Sequence, residues 1–69
     1  MKLSARNVLK GKIVAITKGA TTTHVKIEIV DGMLVTSSIT NEACEDLRLE
    51  IGQEAAAIIK ASDVIIGVE

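Results

Sequence analysis

Two short segments near opposite ends of the sequence hold the side chains best suited to chemistry, Ser4-Ala5-Arg6 and Lys60-Ala61-Ser62. Each joins a cation to a hydroxyl across an alanine. A tetrahedral dianion offers acceptors at every corner, so it is matched by cationic side chains, hydroxyl protons and exposed backbone N–H groups. Arg6 supplies a planar fork and Lys60 a mobile point charge, while Ala5 and Ala61 let an oxyanion approach the backbone without side-chain interference. The plainer reading makes Ser4 and Ser62 turn caps and leaves Arg6 and Lys60 solvated. Spacing alone favours that plainer reading.

Other reactive residue types are scattered. His24 falls on the polar parity of an alternating segment, with no partnered carboxylate or nucleophile identifiable nearby, so a solvated or interface histidine is expected rather than a general base. Cys44 is one cysteine without a resolving partner or basic flank, which suits a small buried hydrophobe. His24 and Cys44 also lack the paired spacing of a structural metal site, so no free metal cation is expected. Glu42, Glu45 and Asp46 read as a dipole-matched helix start rather than a cation loop. Gly19, Gly32 and Gly52 lack the strand-loop-helix setting of a phosphate-binding motif and read as turns. No acid–base pair, activated nucleophile or organic-cofactor motif emerges, which argues against an enzyme.

These residues must be positioned by a chain of 69 residues with no Phe, Tyr or Trp. A domain that small hides only about 60% of its unfolded surface, and Ile, Val, Leu and Ala must do the packing. Cores of this size need reinforcement, and a single cysteine rules out an internal disulfide, so oligomerisation is expected. Hydrophobic content of 48% with 25% charge indicates a folded domain. A formal charge of −1 provides no global field to hold nucleic acid or an anionic membrane. The opening Met1-Lys2-Leu3-Ser4-Ala5-Arg6 meets charge before any apolar run, so neither signal peptide nor spanning helix is expected and the cytoplasm is the default location.

Without proline or low-complexity tracts, residues 1–69 read as one domain. The run from Asn7 to Thr17 is rich in β-branched residues and predicts a strand, with Gly11 marking a bend or bulge. Lys18-Gly19-Ala20 reads as a turn. From Thr23 to Val30, Val25, Ile27 and Ile29 alternate with His24, Lys26 and Glu28, predicting a strand with one wet face. A two-residue hairpin at Asp31-Gly32 would mix polar with apolar positions. A three-residue loop, Val30-Asp31-Gly32, ending in a left-handed glycine pairs Ile29 with Met33 and Ile27 with Val35. Met33 to Thr40 predicts a third strand, followed by a short helix over 41–47 capped by Thr40 or Asn41. Ile51-Gly52-Gln53 turns the chain into a strand from Glu54 to Lys60, despite the helical propensity of Ala55 to Ala57. Val64 to Val68 predicts a fifth strand. The fold class is therefore all-β with one short helix, a five-stranded OB-like barrel completed by a neighbour.

Several motifs together resemble the molbindins, small oxyanion-binding proteins of the MOP/TOBE-like type. The opening Ser4-Ala5-Arg6-Asn7 with Leu9-Lys10-Gly11-Lys12 carries the likeness first. It continues through Lys18-Gly19-Ala20, Thr36 to Thr40 ahead of the acidic helix, Gly52-Gln53-Glu54 and Lys60-Ala61-Ser62-Asp63-Val64, covering nearly the whole chain. The resemblance implies a homo-oligomer, a hexamer built as a trimer of dimers, holding molybdate or tungstate at subunit interfaces for intracellular storage. It implies that Ser4, Arg6, Lys60 and Ser62 bind the oxyanion together with the backbone N–H groups of Ala5 and Ala61, and that Thr40 reaches in from a neighbouring subunit. A hydroxyl residue is often found in this family where Ala43 stands, so one donor is missing here. The resemblance also implies a second anion site on a threefold axis, for which Lys18, Gly19 and Ala20 are candidates, against their plainer reading as a surface turn.

Two rival classes remain at this level. An OB-like nucleic-acid-binding module is compatible with the fold class, although missing aromatics and negative charge count against it. A structural or regulatory oligomerisation module without ligand is compatible with the loss of a hydroxyl at Ala43.

Overall fold

The computed structural model describes residues 1–30 and 32–69. Its elements in chain order are β1 (Asn7–Lys18), β2 (Thr22–Glu28), β3 (Leu34–Thr40), α1 (Asn41–Leu47) and β4 (Glu54–Ile59), followed by a single 3-10 turn at Ala61–Asp63. The strands form one antiparallel sheet in the order β3-β2-β1-β4. The expected architecture of mostly β structure with one short helix is present.

β1 organises the sheet because its two halves pair with different neighbours. Its first half pairs with β4 from Asn7↔Ile59 to Lys12↔Glu54. Its second half pairs with β2 from Lys12↔Glu28 to Lys18↔Thr23. A register shift between Ile13 and Ala15 bends the strand between these halves, as a β-bulge does, and curls the sheet into a half-barrel. The inner face collects Ile13, Val25 and Ile27, with Ile16, Ile29, Ile39, Leu49, Ala55 and Ala57 packed around them. His24, Lys26 and Glu28 are exposed on the opposite face of β2, as the alternation predicts.

The bulge is not at Gly11. That glycine serves a close approach instead, because a Cβ there would run into the Glu28 carbonyl oxygen and crowd Ile27 Cγ2. On the β4 side of β1, Ala55 stands opposite Gly11 and Ala57 opposite Leu9. Pairing with β1 thus overrides the helical propensity of Ala55 to Ala57.

The β2–β3 pairing has the register that keeps polar and apolar faces apart, with Ile27 opposite Val35. Ile29 N–H donates to Met33 O at 2.8 Å, and Gly32 adopts φ 79°, the left-handed conformation that closes a loop of this kind. The remaining expectation for this loop, at position 31, lies outside the described residues.

The sheet has four strands among the described residues rather than five. Val64 to Val68 forms no regular structure, and Ile65, Ile66 and Val68 are 82–92% exposed. A strand needs an edge to pair with, and this segment has found none within the chain. A cleft of about 240 Å³ separates the sheet's two edge strands, lined by Val35, Thr36 and Ser37 on β3 and by residues 56–59 of β4.

Candidate functional site

The antiparallel pairing of β1 with β4 decides where the two cation–hydroxyl segments go. The terminal rung is Asn7↔Ile59, reinforced by Asn7 Nδ2 donating to Ile59 O at 3.2 Å. Arg6 and Lys60 each stand one residue beyond that rung, and Ser4 and Ser62 each stand three residues beyond it. Residues 52 or more positions apart in sequence are therefore gathered at one end of the sheet.

Beyond the rung the two strands part. The Lys60 backbone remains extended at φ −66° and ψ 140°, and Ala61 to Asp63 then tighten into a turn in which Asp63 N–H donates to Lys60 O at 2.9 Å. Ser4, Arg6, Lys60, Ala61 and Ser62 are exposed and Ala5 is half-buried. None of the side-chain hydrogen bonds among the described residues uses Ser4, Arg6, Lys60 or Ser62. The one ion pair among the described residues is Lys18–Glu45, so neither Arg6 nor Lys60 is neutralised by a carboxylate among them. Two cations and two hydroxyls thus stand at the same end of the sheet with no side-chain hydrogen bond among the described residues, and an oxyanion is a ligand that such donors can satisfy.

Thr40 is placed elsewhere. It pairs with Thr22 at the far end of β2, beside the Lys18 end of β1, so the twelve-residue length of β1 lies between it and Arg6. At about 3.3 Å per residue the path along β1 is on the order of 30–40 Å. Thr40 is the N-cap of α1, its hydroxyl accepting from Ala43 N–H at 3.0 Å. A hydroxyl that accepts one bond still keeps its own proton to donate.

Lys18, Gly19 and Ala20 lie at this same far end, where other bonds engage them. Lys18 Nζ meets Glu45 Oε1 at 3.4 Å, Gly19 N–H donates to Thr22 O at 2.7 Å, and Asn41 Nδ2 donates to the carbonyls of Gly19 and Ala20. Glu45 in particular puts a carboxylate on the cation that a second anion would need. Asn41 and its partner Thr23 are absent from the sequence-based candidates. Their signals were a threonine on the buried parity of β2 and an asparagine, a poor helix former, at the first helical position.

His24 is exposed and Cys44 is a half-buried free thiol on α1. Among the described residues no group of three His, Cys, Asp or Glu side chains gathers as a metal cation would require. No helix among them is long and apolar enough to cross a membrane.

The sequence matches the TOBE domain family over residues 3–66. The chain belongs to the TOBE domain family. Over its full length this TOBE domain is 49% identical to the probable molybdenum-pterin-binding protein of Haemophilus influenzae, and the match covers 100% of both chains. In structure it resembles apo MopII from Clostridium pasteurianum with a TM-score of 0.91 and 42% identity, covering 97% of this chain and 100% of MopII. It also resembles the cytoplasmic molybdate-binding protein ModG, in a form with molybdate bound, with a TM-score of 0.95 and 43% identity. That match takes in 100% of this chain and 49% of ModG. The TOBE domain therefore shares its curled sheet and short helix with proteins named for binding rather than for catalysis.

Proposed function

We propose that this TOBE domain binds molybdate or tungstate as reversible cargo, without transforming it, and serves intracellular storage of the oxyanion in the cytoplasm. Residues 1–69 act as one binding domain that needs no organic cofactor. The observation that supports this reading is the β1–β4 register, whose last rung, Asn7 opposite Ile59, directs Ser4-Ala5-Arg6 and Lys60-Ala61-Ser62 to the same end of the sheet. Arg6 and Lys60 neutralise the dianion, while the hydroxyls of Ser4 and Ser62 and the N–H groups of Ala5 and Ala61 orient it. The names of the relatives, molybdenum-pterin-binding and molybdate-binding, support the same cargo.

The site is proposed to be completed between protomers of a hexamer arranged as a trimer of dimers. An exposed half-site holds an anion weakly, because water screens its charges. A partner that excludes water strengthens every contact. Thr40 lies beside the opposite end of β1 from Arg6, so its contribution would come from a neighbour. The exposed surface argues for assembly as well. It amounts to 5650 Å² for 7.3 kDa, against roughly 4200 Å² for a folded monomer of that mass.

A dry pocket built from donors favours a fully deprotonated dianion over hydrogen phosphate, whose proton would find no acceptor. Separation from sulfate must then rest on size. Calorimetric titration of the purified oligomer with molybdate, tungstate, sulfate and phosphate tests the assignment. Tight binding confined to the first two is expected, and equal weak heats from all four would overturn it.

A further inference from the structure

We infer that Asn41 is a positioning residue for the oxyanion site, holding the Thr40 hydroxyl at a fixed point relative to the sheet. This rests on the proposed reading that Thr40 donates to the anion. The helix that Thr40 caps is poorly anchored by itself, since α1 has seven residues and buries none of them completely. Isolated helices of that length are marginal. Beyond the pairing of Thr40 with Thr22, what ties its start to the sheet is Asn41.

Both polar atoms of the Asn41 side chain and its backbone N–H are used. The Thr23 hydroxyl, on a side chain 1% exposed, donates to Asn41 Oδ1 at 2.6 Å. Asn41 Nδ2 donates to Gly19 O at 3.1 Å and to Ala20 O at 3.3 Å, and its backbone N–H donates to Thr21 O at 3.0 Å. The amide therefore bridges the buried side of β2, the β1–β2 turn and the first residue of α1. Asparagine is unfavourable inside a helix and does not serve as the cap here, because Thr40 does. This bridge is the physical reason for its presence.

The consequence for binding concerns geometry. Thr40 is adjacent to Asn41 in the chain, and its oxygen is already oriented by Ala43 N–H, which leaves its own proton free to donate. With the first helical residue pinned at four points, that donor is preorganised and loses little freedom when an anion arrives. Without the bridge, Thr40 keeps its pairing with Thr22 but the helical turn that orients its hydroxyl through Ala43 N–H is less restrained.

Molybdate titration of the assembled protein tests this with Thr40→Val, Asn41→Ala and the double variant. Thr40→Val is expected to weaken binding about tenfold, the scale of one hydrogen bond to a charged group. Asn41→Ala should weaken it several-fold, and Thr40→Val should then cost less than about twofold more, because the donor it removes is no longer placed. Arg6→Ala should keep its full effect in the Asn41→Ala background, which general unfolding would not allow. If Asn41→Ala fails to assemble, Asn41→Ser carries the same expectation, since it keeps an acceptor for Thr23 but cannot span both carbonyls. Unchanged affinity in the Asn41 variants alongside a weakened Thr40→Val, or losses that simply add, would overturn the positioning role alone. Unchanged affinity in Thr40→Val would overturn the Thr40 reading and this inference with it.

Discussion

Arg6 and Lys60 are exposed and make no ion pair among the described residues, so removing either costs the fold little. Arg6→Ala and Lys60→Ala are each expected to weaken molybdate binding at least tenfold while leaving the thermal unfolding of the unliganded assembly within about 0.5 kcal/mol of the parent. Normal affinity in both variants would remove these residues from the site. Gly11 is the opposite case, a residue that never meets ligand but on which the sheet depends. A methyl group there collides with the Glu28 carbonyl, which is backbone and cannot swing aside. Gly11→Ala is expected to destabilise the protein by at least about 1–3 kcal/mol, the usual cost of overpacking. Chemical denaturation would check this, and an unchanged midpoint would show that β1 and β2 can separate more easily than their pairing suggests.

Among the elements, α1 ends in an unusual way. Arg48 closes the helix in the left-handed conformation at φ 52°, a backbone state that glycine adopts without the steric cost an L side chain incurs. The Arg48 side chain makes no hydrogen bond or ion pair among the described residues that would offset that cost. Arg48→Gly is therefore expected to raise stability by about 0.5–1 kcal/mol, a shift of a few degrees in melting temperature. A lower melting point would mean that the arginine stem contributes packing worth more than the backbone strain. The hairpin of β2 and β3 was legible in the sequence because its two candidate registers differ in which face each side chain occupies. The bend in β1 was legible only as a need. A glycine in a strand signals either a bulge or a close approach, and only the position of Glu28 distinguishes the two.

For the whole molecule, the radius of gyration of 12.8 Å exceeds the roughly 11 Å of a compact chain this long. With only Ile13, Val25 and Ile27 fully buried among the apolar residues described, one chain holds too little core to stand alone. Assembly is expected to depend on the exposed Val64–Val68 segment and on the cleft between the two sheet edges. Truncation after Asp63 is expected to abolish the oligomer, measured as mass in solution by sedimentation, and to leave a largely unfolded chain. A truncated protein that retains the parent mass would assign assembly to other surfaces.

The residue pattern by itself determined the first four strands and the helix, the faces of β2 and the register of the β2–β3 loop. Those properties are local, set by periodicity and propensity within a few residues. Only the tertiary structure decided that residues 6 and 60 flank one rung, that Thr40 lies at the other end of the sheet, and that the last apolar run is unpaired in the single chain. Pairing between distant strands depends on which edges are free and how closely two backbones can approach, and neither quantity is written in any short stretch of sequence.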